Sequence, residues 1–181
     1  MSQTTTIDDW NKRYEEGGKR PWDTGLPDFH IEFMLEKLES ALPDGAPKTL
    51  LEIGCGTGTN AVHLAKVLGP EWRVHGIDLA PKAIEMAKIL AANENCENVS
   101  FASHNVLESD VLLDEKASVI YDKGCFHCFR NPEDREKFAE LMHKSLISDG
   151  MWFSICGSYD DPPRTTGPPQ MTIRELSVAT E

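Results

Sequence analysis

Apolar residues along this chain follow two different spacings, which change every ten to fifteen residues. Short apolar runs at Thr49–Ile53, Arg73–Ile77, Val99–Ala102, Val119–Tyr121 and Met151–Cys156 read as buried strands. Between them apolar residues recur three and four apart. One stripe is Ile31, Met34, Leu35, Leu38 and Leu42, and a second is Ala61, Leu64, Ala65 and Leu68. Ile84, Ala87, Leu90 and Ala91 make a third, and Phe138, Leu141, Met142 and Leu146 a fourth. Asp28, Pro81 and Asn131-Pro132 are helix-start signals ahead of three of these stripes. A short helix capped by Asp8 or Asp9 and running through Tyr14 puts Trp10 and Tyr14 on one face. Asp149-Gly150 predicts the turn into the last strand, and residues Thr172–Thr180 a final helix. Strands alternating with helices predict an α/β fold with a doubly wound, mostly parallel sheet of five strands.

The first strand runs into Glu52-Ile53-Gly54-Cys55-Gly56-Thr57-Gly58, and the helix from Thr59 follows at once. A strand feeding a helix through a glycine turn is where α/β sheets bind ligands. The spacing is G-x-G-x-G, not the G-x-G-x-x-G of a dinucleotide site. Glu52 would repel a pyrophosphate and suits a ligand carrying an ammonium or sulfonium charge. Asp78 ends the second strand, about 20 residues past the loop, where a carboxylate accepts both hydroxyls of a ribose. The plainer alternative is a tight turn, with Asp78 as a helix cap.

Composition narrows the ligand. The 181 residues suit one domain with a proper core. Thirty acidic residues against 18 Lys and Arg leave a net charge of −12. That balance argues against a nucleic-acid substrate, whose binding rests on neutralising phosphates, and fits a small molecule or a basic protein surface. No apolar run is long enough to span a bilayer, and the first residues lack a signal peptide's basic and apolar regions. Five cysteines without framework spacing suit reduced thiols, hence a cytoplasmic location with no membrane.

The Glu52–Gly58 loop with Asp78 resembles motif I of the class I S-adenosylmethionine-dependent methyltransferases. The resemblance implies a Rossmann-like methyltransferase fold with S-adenosyl-L-methionine lying across Gly54, Gly56 and Gly58, beside Glu52. Asp78, with Leu79 beside it, would hold the ribose. Asn105 stands where the family usually has an acidic residue for the adenine amino group; its carbonyl can accept the same bond, and Val106 can bond the ring nitrogens through its backbone. The family has seven strands, the last two an antiparallel hairpin. Here the sequence ends at Glu181 within the predicted last helix, leaving no room for that β6–β7 hairpin. The expectation is a fragment or splice product, or a fifth strand whose exposed edge a partner covers, such as a second copy in a homodimer.

Trp10-Asn11-Lys12-Arg13-Tyr14 and Pro21-Trp22-Asp23-Thr24-Gly25-Leu26-Pro27 resemble the lid of the thiopurine, thiol and halide methyltransferase-like subgroup. The resemblance implies that Trp10, Tyr14 and Trp22 lie against the cofactor, where a ring face on a sulfonium is worth about 1 kcal/mol. The plainer alternative is aromatic packing of a helix onto the core. The single domain 1–181 then divides into a lid segment 1–27, an α/β core 28–157, and a loop with a truncated helix 158–181.

Tyr121-Asp122-Lys123-Gly124-Cys125-Phe126-His127 resembles the D-x-G-x-x-H of some small-molecule methyltransferases and, in part, the D-K-G-T of elongation-factor lysine methyltransferases. It implies that Asp122 holds the methionine end or the substrate. His127 is the candidate general base, with an ordinary pKa of about 6.5, or else a structural histidine. Cys125 and Cys128 form C-x-x-C without the four-ligand set a structural zinc needs, so no metal is expected. Asp161-Pro162-Pro163-Arg164 resembles the D-P-P-Y of amino-group nucleic-acid methyltransferases but follows the wrong strand. Arg164 is the candidate charged contact of a Pro- and Gly-rich loop at the active edge. The reading is a methyltransferase of a small-molecule thiol or amine. The alternatives are a protein-lysine methyltransferase and a non-catalytic cofactor-binding or interaction domain.

Overall fold

The computed structural model describes residues 6–15, 20–163 and 169–180. Residues 16–19 of the expected lid segment, and Arg164, lie outside them. The elements run α1 (Ile7–Glu15), α2 (His30–Ala41), β1 (Thr49–Ile53), α3 (Thr59–Leu68), β2 (Arg73–Asp78), α4 (Pro81–Asn93) and β3 (Val99–Ser103). Then come β4 (Ala117–Lys123), a 3₁₀ turn over Phe126–Cys128, α5 (Pro132–Ser145), β5 (Leu146–Ile155) and α6 (Ile173–Thr180). The sheet is parallel, with strand order β3-β2-β1-β4-β5.

Each strand alternates its side chains between two apolar layers. Leu50 of β1 faces α2, α3 and α4, through Ile31, Met34, Leu64, Ala65 and Ile84. Leu51 and Ile53 face α5, through Phe138, Leu141 and Met142. α1 packs separately, Tyr14 and Trp10 lying against Ala80, Ala83 and Met86 of the α4 start. The order reverses direction between β1 and β4, and such a switch point opens a crevice at the strand carboxyl ends.

Three local readings change. The cap of α1 is Thr6, not Asp8 or Asp9: Thr6 Oγ1 accepts the Asp9 N–H at 3.2 Å, and Asp9 Oδ2 accepts the Thr6 N–H at 2.9 Å. That reciprocal pair is a capping box, with aspartate in the glutamate position. Leu146 does not end the α5 stripe. Its extended backbone (ψ 147°) terminates the helix and opens β5. Asp149-Gly150 is not a turn ahead of β5 but a bulge inside it: Ala117 pairs with Leu146 and Val119 with Met151, so β5 has extra residues there. Asp28 does cap α2, Oδ1 accepting the His30 N–H at 2.9 Å, and Asn131 caps α5 through the Glu133 N–H.

Candidate active site

A cleft of about 1900 Å³ opens at the β1/β4 switch point. Small-molecule pockets usually hold roughly 300–1,000 Å³, so this one has more room than one small ligand needs. Its floor is the loop after β1 and the ends of β2 and β4. Its walls are α1, residues 21–30, the loop after β3, and residues 123–131 and 155–158. Of the sequence-predicted residues it brings together Trp10, Tyr14, Trp22, Gly54, Gly56, Asp78, Leu79, Asn105, Val106 and His127.

The glycine loop is shaped largely by its own surroundings. Gly54 has φ +69°, and a Cβ there would meet Cys125 Cβ at 2.8 Å. Gly58 has φ +82°, and a Cβ there would lie 2.8 Å from Ala87 Cβ and 2.9 Å from the Phe101 ring. Gly58 does not line the cleft. Its role is close packing of the α3 start on α4 and β3, a correction to the expected cofactor contact. Gly56 lies at the cleft beneath the Tyr14 hydroxyl, and its N–H donates to Asp78 Oδ2 at 2.9 Å.

Asp78 also accepts the Ala80 N–H on Oδ1 at 2.9 Å. Burial raises its pKa, while these N–H bonds oppose the rise. A carboxylate has about four acceptor sites, so Asp78 keeps acceptor capacity beyond the Gly56, Ala80 and Leu79 N–H groups. The Asn105 carbonyl is partly committed, Oδ1 accepting the Leu107 N–H at 3.2 Å.

Two further expected site residues, Glu52 and Asp122, do not line the cleft. Glu52 is 2% exposed and lies outside the cleft wall. Its Oε1 accepts Asn60 Nδ2 at 3.2 Å. Burial pushes its carboxyl up to about 8, with the Asn60 bond opposing. Asp122, expected to hold the methionine end or the substrate, is fully buried beneath the loop after β4. Its oxygens accept the Cys125 and Phe126 N–H groups at 2.8 and 3.2 Å and the Ser154 hydroxyl at 2.7 Å. It therefore holds the 3₁₀ turn that places His127.

The lid aromatics already have cations on them. The Arg13 guanidinium lies 4.6 Å from the Trp10 ring and 5.8 Å from Trp22, and Arg20 lies 5.2 Å from the Tyr14 ring. Side-chain bonds tie the segment down: Lys82 N–H to Asn11 Oδ1 at 2.8 Å, Thr57 Oγ1 to Asp23 Oδ2 at 3.2 Å, and Asp28 N–H to Asn60 Oδ1 at 2.9 Å.

At the far end, His127 Nδ1 accepts the Gly157 N–H at 3.1 Å. The neutral ring then carries its proton on Nε2, so the lone pair a general base needs is committed. Cys55, Cys125, Cys128 and Cys156 all line the cleft. Burial raises every one of these thiols, Cys128 to about 12, so they stand protonated. The mouth is apolar: Leu26 is 71% and Phe29 78% exposed. Lys123 pairs with Asp28 at 3.1 Å beside them.

A family model described as a methyltransferase domain matches residues 45–157, more than half of the chain and the whole floor of this cleft. The chain belongs to the class I S-adenosylmethionine-dependent methyltransferases. The tRNA N(3)-methylcytidine methyltransferase trm141 of Schizosaccharomyces pombe is 29% identical over 133 residues, 67% of this chain and 52% of that protein. The ajmaline N-methyltransferase of Rauvolfia serpentina is 30% identical over 113 residues, 59% of this chain and 35% of that protein. The methyltransferase chain thus spans about half the length of one relative and about a third of the other. A structure solved for the conversion of a disulfide bond into a thioacetal group during echinomycin biosynthesis superposes with a TM-score of 0.77 and 24% identity. It covers 97% of this chain and 77% of that one, and shares the fold.

Sequence reasoning on this methyltransferase missed Thr57, Asn60, Asp28 and Lys123 as parts of the site. Thr57 and Asn60 flank the glycines and carry the polar groups of an otherwise small-residue loop, which is the signal that was there to read. Nothing in the sequence announces that Lys123 meets Asp28, 95 residues away.

Proposed function

We propose that the chain transfers a methyl group from S-adenosylmethionine to a nitrogen or sulfur atom of a small molecule with an apolar body. The observation that carries this is the cleft: a polar end at Asp78 and Asn105, and an acceptor end rimmed by Leu26, Phe29 and Phe129. The residues fit the cofactor. Asp78 keeps acceptor sites for a diol, and the Gly54–Gly56 backbone is open to the cleft. Bound there, S-adenosylmethionine supplies a sulfonium-activated methyl group.

The protein's part is alignment. In-line displacement gains most from holding two reactants in register. An amine free base or a thiolate arrives with its lone pair, which suits a site where the His127 lone pair is already engaged. Asp122 fixes from below the turn that carries His127. The name of the Rauvolfia relative, ajmaline N-methyltransferase, supports a nitrogen acceptor. The net charge of −12 supports a small molecule over the tRNA of the Schizosaccharomyces relative.

A second reading, a protein-lysine acceptor, is favoured by Glu108, Asp134 and Asp161 at the cleft. Methyl-labelled S-adenosylmethionine tests both against a panel of apolar amines and thiols, a cell lysate and tRNA. Label in a small amine or thiol is expected. Label confined to a basic protein selects the second reading, and label in tRNA alone overturns both.

A further inference from the structure

We infer that Glu52 is a positioning residue that anchors the lid: through Asn60 it holds the backbone at Asp28, and with it residues 20–28, over the glycine loop. The inference rests on the proposed function only in taking that segment to cover a cofactor.

Glu52 sits on the central strand, with Gly76 and Tyr121 as its register neighbours. One oxygen accepts from Asn60, and the other has no hydrogen-bond partner among the described residues, nor has the Tyr121 hydroxyl. A buried carboxyl with an orphan oxygen costs stability, and an apolar residue would extend the layer that Leu50 already makes on that face. Packing therefore gives no reason for a glutamate here. Its bond to Asn60 does, with the Ala61 N–H at the start of α3 as a second polar neighbour.

The Asn60 amide is used at both ends, its Nδ2 donating to Glu52 and its Oδ1 accepting the Asp28 N–H at 2.9 Å. A flipped amide would set its NH₂ against the Asp28 N–H, so the Glu52 acceptor decides which way Asn60 points. Asp28 then gathers the neighbourhood. Its Oδ1 accepts the His30 N–H and lies 2.7 Å from His30 Nδ1, and its Oδ2 accepts from Lys123. α2, α3 and the end of β4 meet at this one residue. The segment ahead of it has little apolar hold. Leu26 is largely exposed and Trp22 43% exposed, so polar ties at Asp23 and Asp28 fix its position.

Amide hydrogen exchange of the ligand-free chain tests this, with thermal unfolding alongside. Glu52→Leu keeps Asn60 but removes its acceptor. Asn60→Leu removes the relay itself. In both, amides of residues 23–28 are expected to exchange at least tenfold faster, while amides of β1 and β4 keep their protection. Glu52→Gln retains an acceptor oxygen and is expected to exchange as wild type, and Glu52→Leu to melt no lower than wild type. Wild-type exchange in Glu52→Leu, or exchange in Glu52→Gln as fast as in Glu52→Leu, overturns the anchor. If Glu52→Leu does not fold, wild-type exchange at residues 23–27 in Asn60→Leu overturns it alone. Titration with S-adenosylhomocysteine keeps the two readings apart. Failure of the folded wild type to bind sinks the cofactor reading, while the exchange rates still decide the anchor.

Discussion

Asp78 and Glu52 are two carboxyls on adjacent strands with opposite duties. Asp78 opens to the cleft with acceptor capacity left over, so Asp78→Ala removes charge-assisted bonds worth about 1.5–3 kcal/mol each. The affinity for S-adenosylhomocysteine is expected to fall by roughly tenfold to a hundredfold, read by calorimetry; unchanged affinity would remove Asp78 from the site. Glu52 titrates in the core, with burial raising it from 4.5 to about 8. A raised carboxyl contributes stability below its unfolded value that is lost as pH climbs through the folded one. Between pH 6 and 8 the wild type should lose stability relative to Glu52→Gln, by up to roughly 1.4 kcal/mol per pH unit. Asp122, raised to about 6, is already ionising at the bottom of that window. Denaturant unfolding at pH 6, 7 and 8 checks it, and parallel curves for the two proteins contradict it. Asp78 and the loop glycines were legible because loop and carboxylate keep a fixed distance inside one βαβ unit. That Glu52 and Asp122 lie in the core was not legible, because one residue's step along a strand swaps cleft for core, and motif spacing does not record which way a side chain turns.

Among the elements, the start of α3 is the tightest joint. Gly58→Ala would bring a methyl within 2.8 Å of Ala87 Cβ and hold a left-handed φ with a side chain. It is expected to cost about 2 kcal/mol or more in stability. Cofactor affinity per folded molecule should suffer far less than in Asp78→Ala. Chemical unfolding paired with calorimetry separates the two. The helix α1 hangs on its capping box, and Thr6→Ala is expected to cost it about 1 kcal/mol. Faster amide exchange across residues 7–15, with the sheet unchanged, is the expected sign. The strands and stripes of α2 to α5 were readable because burial on one or two faces imposes the period directly. The α1 cap and the β5 bulge were not: the first depends on which of three neighbouring polar residues turns inward, the second on pairing with a strand thirty residues earlier.

For the molecule as a whole, β5 has a sheet neighbour on one side only among the described residues. Exposed strand edges template association. Sedimentation of the 181-residue chain is expected to show concentration-dependent self-association, and a monomer across the whole range would refute it. The lid offers a different kind of access. Trp10 and Trp22 stand edge to face with centroids 6.0 Å apart and planes at 82°. The other two of the four tryptophans, Trp72 and Trp152, are set in the two core layers on either side of the sheet. Two indoles that close form a coupled chromophore, with a circular-dichroism couplet that vanishes when they part. The pair is thus an optical gauge across α1 and residues 20–28, one that reads whether these two segments stay together without any label attached.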